Sequence, residues 1–129
     1  MHKAHNPPTV AKPASSYHQA VEVAPNARWL YISGQVGFTP EGKVAAPDLE
    51  GQAEQCWRNI KAVLGDAGMG VEHLVKCTHF LTRAEDVVAY GKVRARHLGE
   101  ARPASTLLVI SALARPGLLV EVEAIAAKA

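Results

Sequence analysis

Aromatic side chains are scarce in this chain: two Trp, three Tyr and two Phe make 5% of its 129 residues. A core of this size therefore has to be assembled from Val, Leu, Ile and Ala, which suits a small layered domain of helices on a sheet. Cysteine is equally sparse, with only Cys56 and Cys77. Disulfide pairing is not expected in a cytosolic compartment, and both thiols fall in a predicted helix and a predicted strand, where they read as small buried residues rather than reactive ones. No apolar run approaches the roughly 18 residues that span a bilayer, and the N-terminal "MHKAHNPPTVAKPASSY" lacks the apolar stretch of a secretory signal, so a cytoplasmic protein with no membrane partner is expected. Charge of one sign is also missing. The formal net charge is +2, far from the strongly basic profile of a dedicated nucleic-acid binder, so a nucleic-acid partner is not expected.

What is present is 48% hydrophobic and 20% charged residues in a chain of one domain's length. Residues 1–13 hold three prolines and no periodicity and read as an extended arm, with a single domain over 14–129. "YHQAVEV" and "WLYISGQVGF" read as strands around the turn signal "APNA" and are expected to form a hairpin. From Asp48 the spacing becomes helical, with Leu49, Ala53, Cys56/Trp57, Ile60, Val63/Leu64 and Ala67 on one stripe ending at "DAGMG". "HLVKCTHFL" is a strand and "RAEDVVAYGKVRARHLGE" a second helix weakened by Gly91. "STLLVISAL", the turn "ARPG" and "LLVEVEAIA" are expected to form a second hairpin.

The order is thus β-β-α-β-α-β-β, an α+β fold with a mixed sheet and both helices on one face. The last strand sharpens the consequence. Alternation puts Val120, Val122 and Ala124 on one face and Leu119, Glu121, Glu123 and Ile125 on the other, mixing acidic with large aliphatic side chains. Such a face suits a cleft made with further copies of the chain, and three subunits packed face to face would cover it.

The segments "SSYHQAV", "YISGQVGF", "QAEQCWRNIKAVLGDAG", "VKCTHFL" and "LVEVEAIA", in this order and spacing from Tyr17 to Ala126, resemble the RidA/YjgF/YER057c/UK114 superfamily. The resemblance implies a chorismate-mutase-like fold, a homotrimer with a small-molecule ligand in each inter-subunit cleft, and hydrolysis of enamines or imines without a metal or any other cofactor. It places Tyr17, Ser33, Gly34 and Glu121 in the cleft, with Glu121 as the catalytic group that orients or activates water. It also marks two departures. Counted back from "EVEAIA" without gaps, the arginine that grips the substrate carboxylate in deaminating members is Thr106 here, and a family asparagine in the second helix aligns with Gly91. Losing a charge-assisted hydrogen bond costs about 1.5 to 3 kcal/mol, so the usual 2-imino acids should bind poorly unless another cation reaches the cleft. Arg102 is four residues away, about 13 Å along a strand, too far to substitute.

Thr106 and Leu108 share a strand face that would line the cleft with Glu121, while Leu107 and Val109 point toward the helices. Glu123 is expected to be structural, paired with a basic neighbour such as Arg115 or a subunit partner. Three function classes follow. The first is a deaminase or related hydrolase acting on a small enamine or imine; the second is a non-catalytic trimer that binds a small ligand or another protein. The third, an endoribonuclease or translation inhibitor of the L-PSP kind, ranks below both because Lys92 and Arg96 form only a short basic strip without aromatics. His73, Cys77 and His79 lack the convergent spacing of a metal site, since only Cys77 and His79 share a strand face.

Overall fold

The computed structural model describes residues 2–129. In chain order the elements are β1 (Lys3–His5), β2 (Ala20–Glu22), β3 (Arg28–Val36), α1 (Leu49–Asp66), β4 (Leu74–Leu81), α2 (Val87–Leu98), β5 (Ala104–Val109) and β6 (Val120–Lys128), with short 3-10 turns at Val71–His73 and Ala84–Asp86. The main sheet runs β3-β6-β4-β5, and β1 pairs with β2 in a separate two-stranded ribbon.

Helix α1 follows directly from its sequence. The carboxylate of Asp48 accepts a hydrogen bond from the Gly51 N–H at its start, satisfying one of the orphan donors of the first turn. Leu49, Ala53, Cys56, Trp57, Ile60 and Leu64 form its buried stripe, and Gly68 at φ +72 supplies the left-handed residue just past its end. These side chains meet Val120, Val122, Ala124 and Ala126 of β6, all buried on the helix side of the sheet. Complete burial of Leu- or Ile-sized groups contributes about 1.5–3 kcal/mol each, so this contact supplies much of the core. Tyr90, Val93 and Leu98 of α2 extend it over β4. Gln52 is a fully buried polar exception: its amide donates to the carbonyls of Ala46 and Gly117 (3.2 and 2.9 Å) and its carbonyl accepts from the Leu119 N–H at 2.8 Å, tying two loops to α1.

The two expected hairpins are not formed. The chain does turn at Asn26, which takes φ +65, but β2 pairs with β1 in the register His5–Ala20, reinforced by a 2.8 Å contact from His5 to Glu22, while β3 pairs with β6. Likewise β5 is joined to β4 in parallel through the α2 crossover, and β6 inserts antiparallel between β3 and β4, so residues 110–119 are a sheet-crossing loop rather than a tight turn. Both errors come from pairing neighbours in sequence where longer-range ladders win.

Candidate functional site

The face of the sheet turned away from the helices is open. Across it run rows of facing residues: Leu108, Phe80, Glu121 and Val36 in one; Thr106, Thr78 and Glu123 in the next; Ala104, Lys76, Ile125 and Tyr31 in a third. Tyr31 is 73% exposed, Trp29 52% and Leu108 44%, values that are high for large apolar groups on a sheet. Glu121 is half-buried for a local reason. Between Ile32 and Gln35 strand β3 carries a bulge, so that Ser33 and Gly34 together oppose Glu123, and the backbone of Gly34 comes to lie against the Glu121 carboxylate with no room for a side chain between them. Ser33, Glu123, Tyr31 and Ile125 border a shallow depression of about 240 Å³ beside it. On the far side of the same face the ammonium of Lys76 donates to the Thr106 hydroxyl at 2.5 Å.

A second concavity, of about 590 Å³, lies at the β5 edge between α2 and the segment before β2. The Tyr17 segment is held there by the His18 N–H, which donates to the Pro103 carbonyl, and Tyr17 accepts at its hydroxyl from the Ala14 N–H. Tyr17, Gly91, Arg94 and Ser105 share this cavity with the apolar Val87 and Leu107. Arg94 is 7% exposed, donates from Nη2 to the Ser15 hydroxyl at 2.6 Å, and stacks its guanidinium 5.7 Å from the Tyr90 ring centre. Its Nε is shut off from solvent without an acceptor, and among the described residues no carboxylate pairs with it. A buried donor left unsatisfied in this way costs about 1–3 kcal/mol.

Behind Ser105 a hydrogen-bonded chain leads into the core. The Trp57 indole N–H donates to the Tyr90 hydroxyl at 3.3 Å, Tyr90 bonds His79 Nδ1, and His79 Nε2 lies 3.0 Å from the Ser105 hydroxyl oxygen. Burial, aided by the positive charges of Arg94 and Lys76, pushes His79 down to about 3, so its ring is neutral at physiological pH. Both its nitrogens are engaged within the protein, and Cys77 beside it is buried and free.

The residues singled out in the sequence thus fall into three places. Ser33, Gly34 and Glu121 meet at the β3–β6 side of the open face. Thr106 and Leu108 lie on that same face at the β5 edge. Tyr17 and Gly91 sit in the cavity on the helix side of β5. Alternation turns Ser105 and Leu107 toward this cavity and Thr106 to the open face, in the row with Thr78 and Glu123. Val109, at the strand end, is 48% exposed instead of covered by the helices. Arg115 stacks 5.2 Å over the Phe38 ring rather than pairing with Glu123, which is exposed. Arg102 turns back to the carbonyls of Gly99 and Ala101.

Sequence reasoning passed over Arg94, Ser105 and Lys76. A signal for the first was available: Arg94 stands one turn after Tyr90 on α2, opposite the strip of Lys92 and Arg96, so helical periodicity alone turns it inward. Lys76 alternates with Cys77 and so belongs to the open face, but only the register of β4 against β5 shows that it reaches Thr106.

Comparison with known proteins fits this geometry. Residues 8–128 match the family model described as endoribonuclease L-PSP. A RutC family protein from Pyrococcus horikoshii is 34% identical over 118 residues, covering 91% of this chain and 90% of the relative. A crystal structure of a conserved Rid-family protein from Yersinia pestis superposes with a TM-score of 0.86 at 30% identity over 97% of both chains. RidA from an Antarctic Psychrobacter superposes with a TM-score of 0.72 at 36% identity, covering 88% of this chain and 89% of the other. With its two helices on one face of a mixed four-stranded sheet and this extent of match, the chain belongs to the RidA/YjgF family, the family of the endoribonuclease L-PSP model.

Proposed function

We propose that three copies of this chain associate through their open sheet faces, and that the clefts between them hydrolyse a small enamine or imine. Water adds to the electrophilic imine carbon, the carbon–nitrogen bond breaks, and a carbonyl product and ammonia leave. No metal or organic cofactor is required, since the iminium carbon is already electrophilic and the site has only to position substrate and one water. The observation that carries this reading is the Glu121 carboxylate, held on an open apolar-rimmed face against the Gly34 backbone, where it can accept a proton from water.

Association also answers a distance problem. Glu121 stands on β6, two strand spacings or about 10 Å from β5, and on the face of the sheet opposite the cavity that holds Tyr17 and Gly91, so it cannot join them within one chain. A neighbouring copy can bring its own β5 edge to the first chain's β3–β6 side.

The test is ammonia release from freshly generated 2-aminoacrylate and from a neutral enamine, with sedimentation to follow assembly. The parent should be trimeric and turn over at least one of the two, and Glu121→Gln should lower the rate by about a hundredfold while keeping the trimer. Full turnover by the Gln variant would remove Glu121 from the mechanism, and a stable monomer would remove the cleft. A non-catalytic binding trimer is the second reading, favoured by the exposed Trp29, Tyr31 and Leu108. It predicts ligand-dependent stabilisation with no ammonia from either substrate.

A further inference from the structure

The segment before β2 is tied down by an amide side chain that can sit only one way round. The backbone N–H of Gln19 reaches Asn6 at 2.8 Å, and since a backbone N–H can only donate, the Asn6 atom that meets it is the amide oxygen. The Asn6 NH2 is thereby turned to His18, 2.9 Å from Nδ1. An NH2 group offers only hydrogens here, so Nδ1 is the acceptor and carries no proton. The ring is therefore neutral, with its hydrogen on Nε2.

Protonation of His18 is incompatible with that contact. A second ring hydrogen on Nδ1 would face the Asn6 NH2, donor against donor. Turning the amide over restores a bond to the ring but sets the NH2 against the Gln19 N–H, so one of the two bonds is lost either way. Four other titratable or charged side chains border the hollow of about 250 Å³ in which His18 stands: Glu72 and Glu100 favour a charged ring, Arg102 and a charged His2 oppose it. Among the described residues only Asn6 bonds the ring itself. The other two histidines of the arm respond differently. His2 donates from Nε2 to the His73 carbonyl at 3.0 Å, a bond open to its neutral and charged forms alike, and His5 meets Glu22 at 2.8 Å inside the β1–β2 ribbon, a pair that gains from protonation. The ribbon thus holds in acid, whereas the contact at His18 does not.

That contact joins residue 6 to residues 18 and 19 and closes the chain between them into a loop, braced within by the Gln19 side-chain amide, which donates to the Ala11 carbonyl at 2.7 Å. The returning limb of the loop forms one wall of the larger cavity beside α2. The Ser15 hydroxyl accepts from Arg94, the Tyr17 N–H donates to the Ser15 carbonyl at 2.9 Å, and both residues line the cavity.

We infer that Asn6 and His18 form a proton-operated latch on the N-terminal arm: neutral His18 holds the loop of residues 6–19 closed, and uptake of a proton by its ring frees Asn6 and loosens the Ser15–Tyr17 wall. The sign follows from the closed form, which has no place for a proton at Nδ1. Closure is complete above the range in which histidine titrates and weakens as the pH falls through it. The latch goes beyond the proposed hydrolysis and does not depend on it.

The experiment is amide hydrogen exchange at Gln19 and Tyr17 of the full chain, read by NMR at about pH 7.5 and about pH 5.5 and expressed as protection relative to an unstructured peptide at the same pH. In the parent both amides should lose about three- to tenfold in protection in acid, the worth of one neutral hydrogen bond. His18→Gln keeps an acceptor that does not titrate and should show equal protection at the two pH values. Asn6→Asp places a carboxylate between the Gln19 N–H and the ring, so the charged histidine becomes the better partner and protection should rise in acid. This reversal is decisive, because a side chain that served packing alone would give no change of sign. Parent protection that stays level or rises in acid overturns the latch, as does an Asn6→Asp protein that follows the parent. A response at Gln19 that does not reach Tyr17 overturns its control of the cavity wall. Ammonia release plays no part in the measurement, so failure of the hydrolase reading and failure of the latch are separately visible.

Discussion

Gly34 and Glu121 are in direct contact across the β3–β6 pair: the backbone of the one is the surface on which the carboxylate of the other rests. The residue at 34 is not in the left-handed region, so what glycine provides there is space. Gly34→Ala should therefore fold with less than about 1 kcal/mol of change, because the group displaced is the end of a flexible side chain. The carboxylate, however, has to move. On the proposed function, ammonia release should fall by about tenfold or more; urea unfolding combined with the rate assay checks both halves. Unchanged turnover would show that the placement of Glu121 on Gly34 is incidental.

The buried amide of Gln52 ties the Ala46 and Gly117–Leu119 loops to α1. Gln52→Leu conserves volume but strands one N–H and two carbonyls, and should cost about 2–4 kcal/mol. Equilibrium urea denaturation gives the value. A cost below about 1 kcal/mol would mean that water replaces the amide without penalty.

Burial pushes both thiols, Cys56 and Cys77, up to about 12; the Glu121 charge adds to the effect at Cys56. The folded protein should be inert to a disulfide-exchange reagent over minutes at pH 8, and two thiols should react once guanidinium unfolds it. Rapid titration of either thiol in the native state would contradict the packing described for α1 and β4.

His79 is neutral in the fold, with its titration displaced from the ordinary 6.5 to about 3. The unfolded chain takes up a proton there as the pH drops through 6.5, whereas the folded protein does not. Its contribution to stability is thus complete above pH 6.5 and is lost progressively down to pH 3, at about 1.4 kcal/mol per pH unit. Between pH 7.5 and 5 the parent should lose about 2 kcal/mol more than His79→Gln, although the variant will be the weaker of the two at pH 7.5. Parallel losses in the two proteins would refute the assignment.

Much of this was readable from the chain. The stripe from Leu49 to Leu64, the alternation of β6 and the covering of one sheet face follow from periodicity alone, because the apolar spacing of each element is set by the core it meets. The ladders were not readable in the same way. Nothing in "STLLVISAL" says that it pairs in parallel with β4 instead of folding back on β6; that choice is made by the α2 crossover and by competition between strands for one central position. Tyr17, Ser33, Gly34, Gly91 and Glu121 were selected by matching positions, but their division between two separated regions depends on sheet order. Arg94 was missed because a basic residue among other basic residues reads as surface, and only its phase on the helix distinguishes it.

The parallel ladder between β4 and β5 has a further meaning for the cavity. Ser105 faces inward only because it stands opposite Cys77, with Thr106 opposite Thr78. A slip of one position along that ladder would exchange serine for threonine at the cavity wall and hand the His79 bond to a different side chain. The length of the α2–β5 connection, residues 99–103, thus acts as the gauge that sets which hydroxyl the cavity presents.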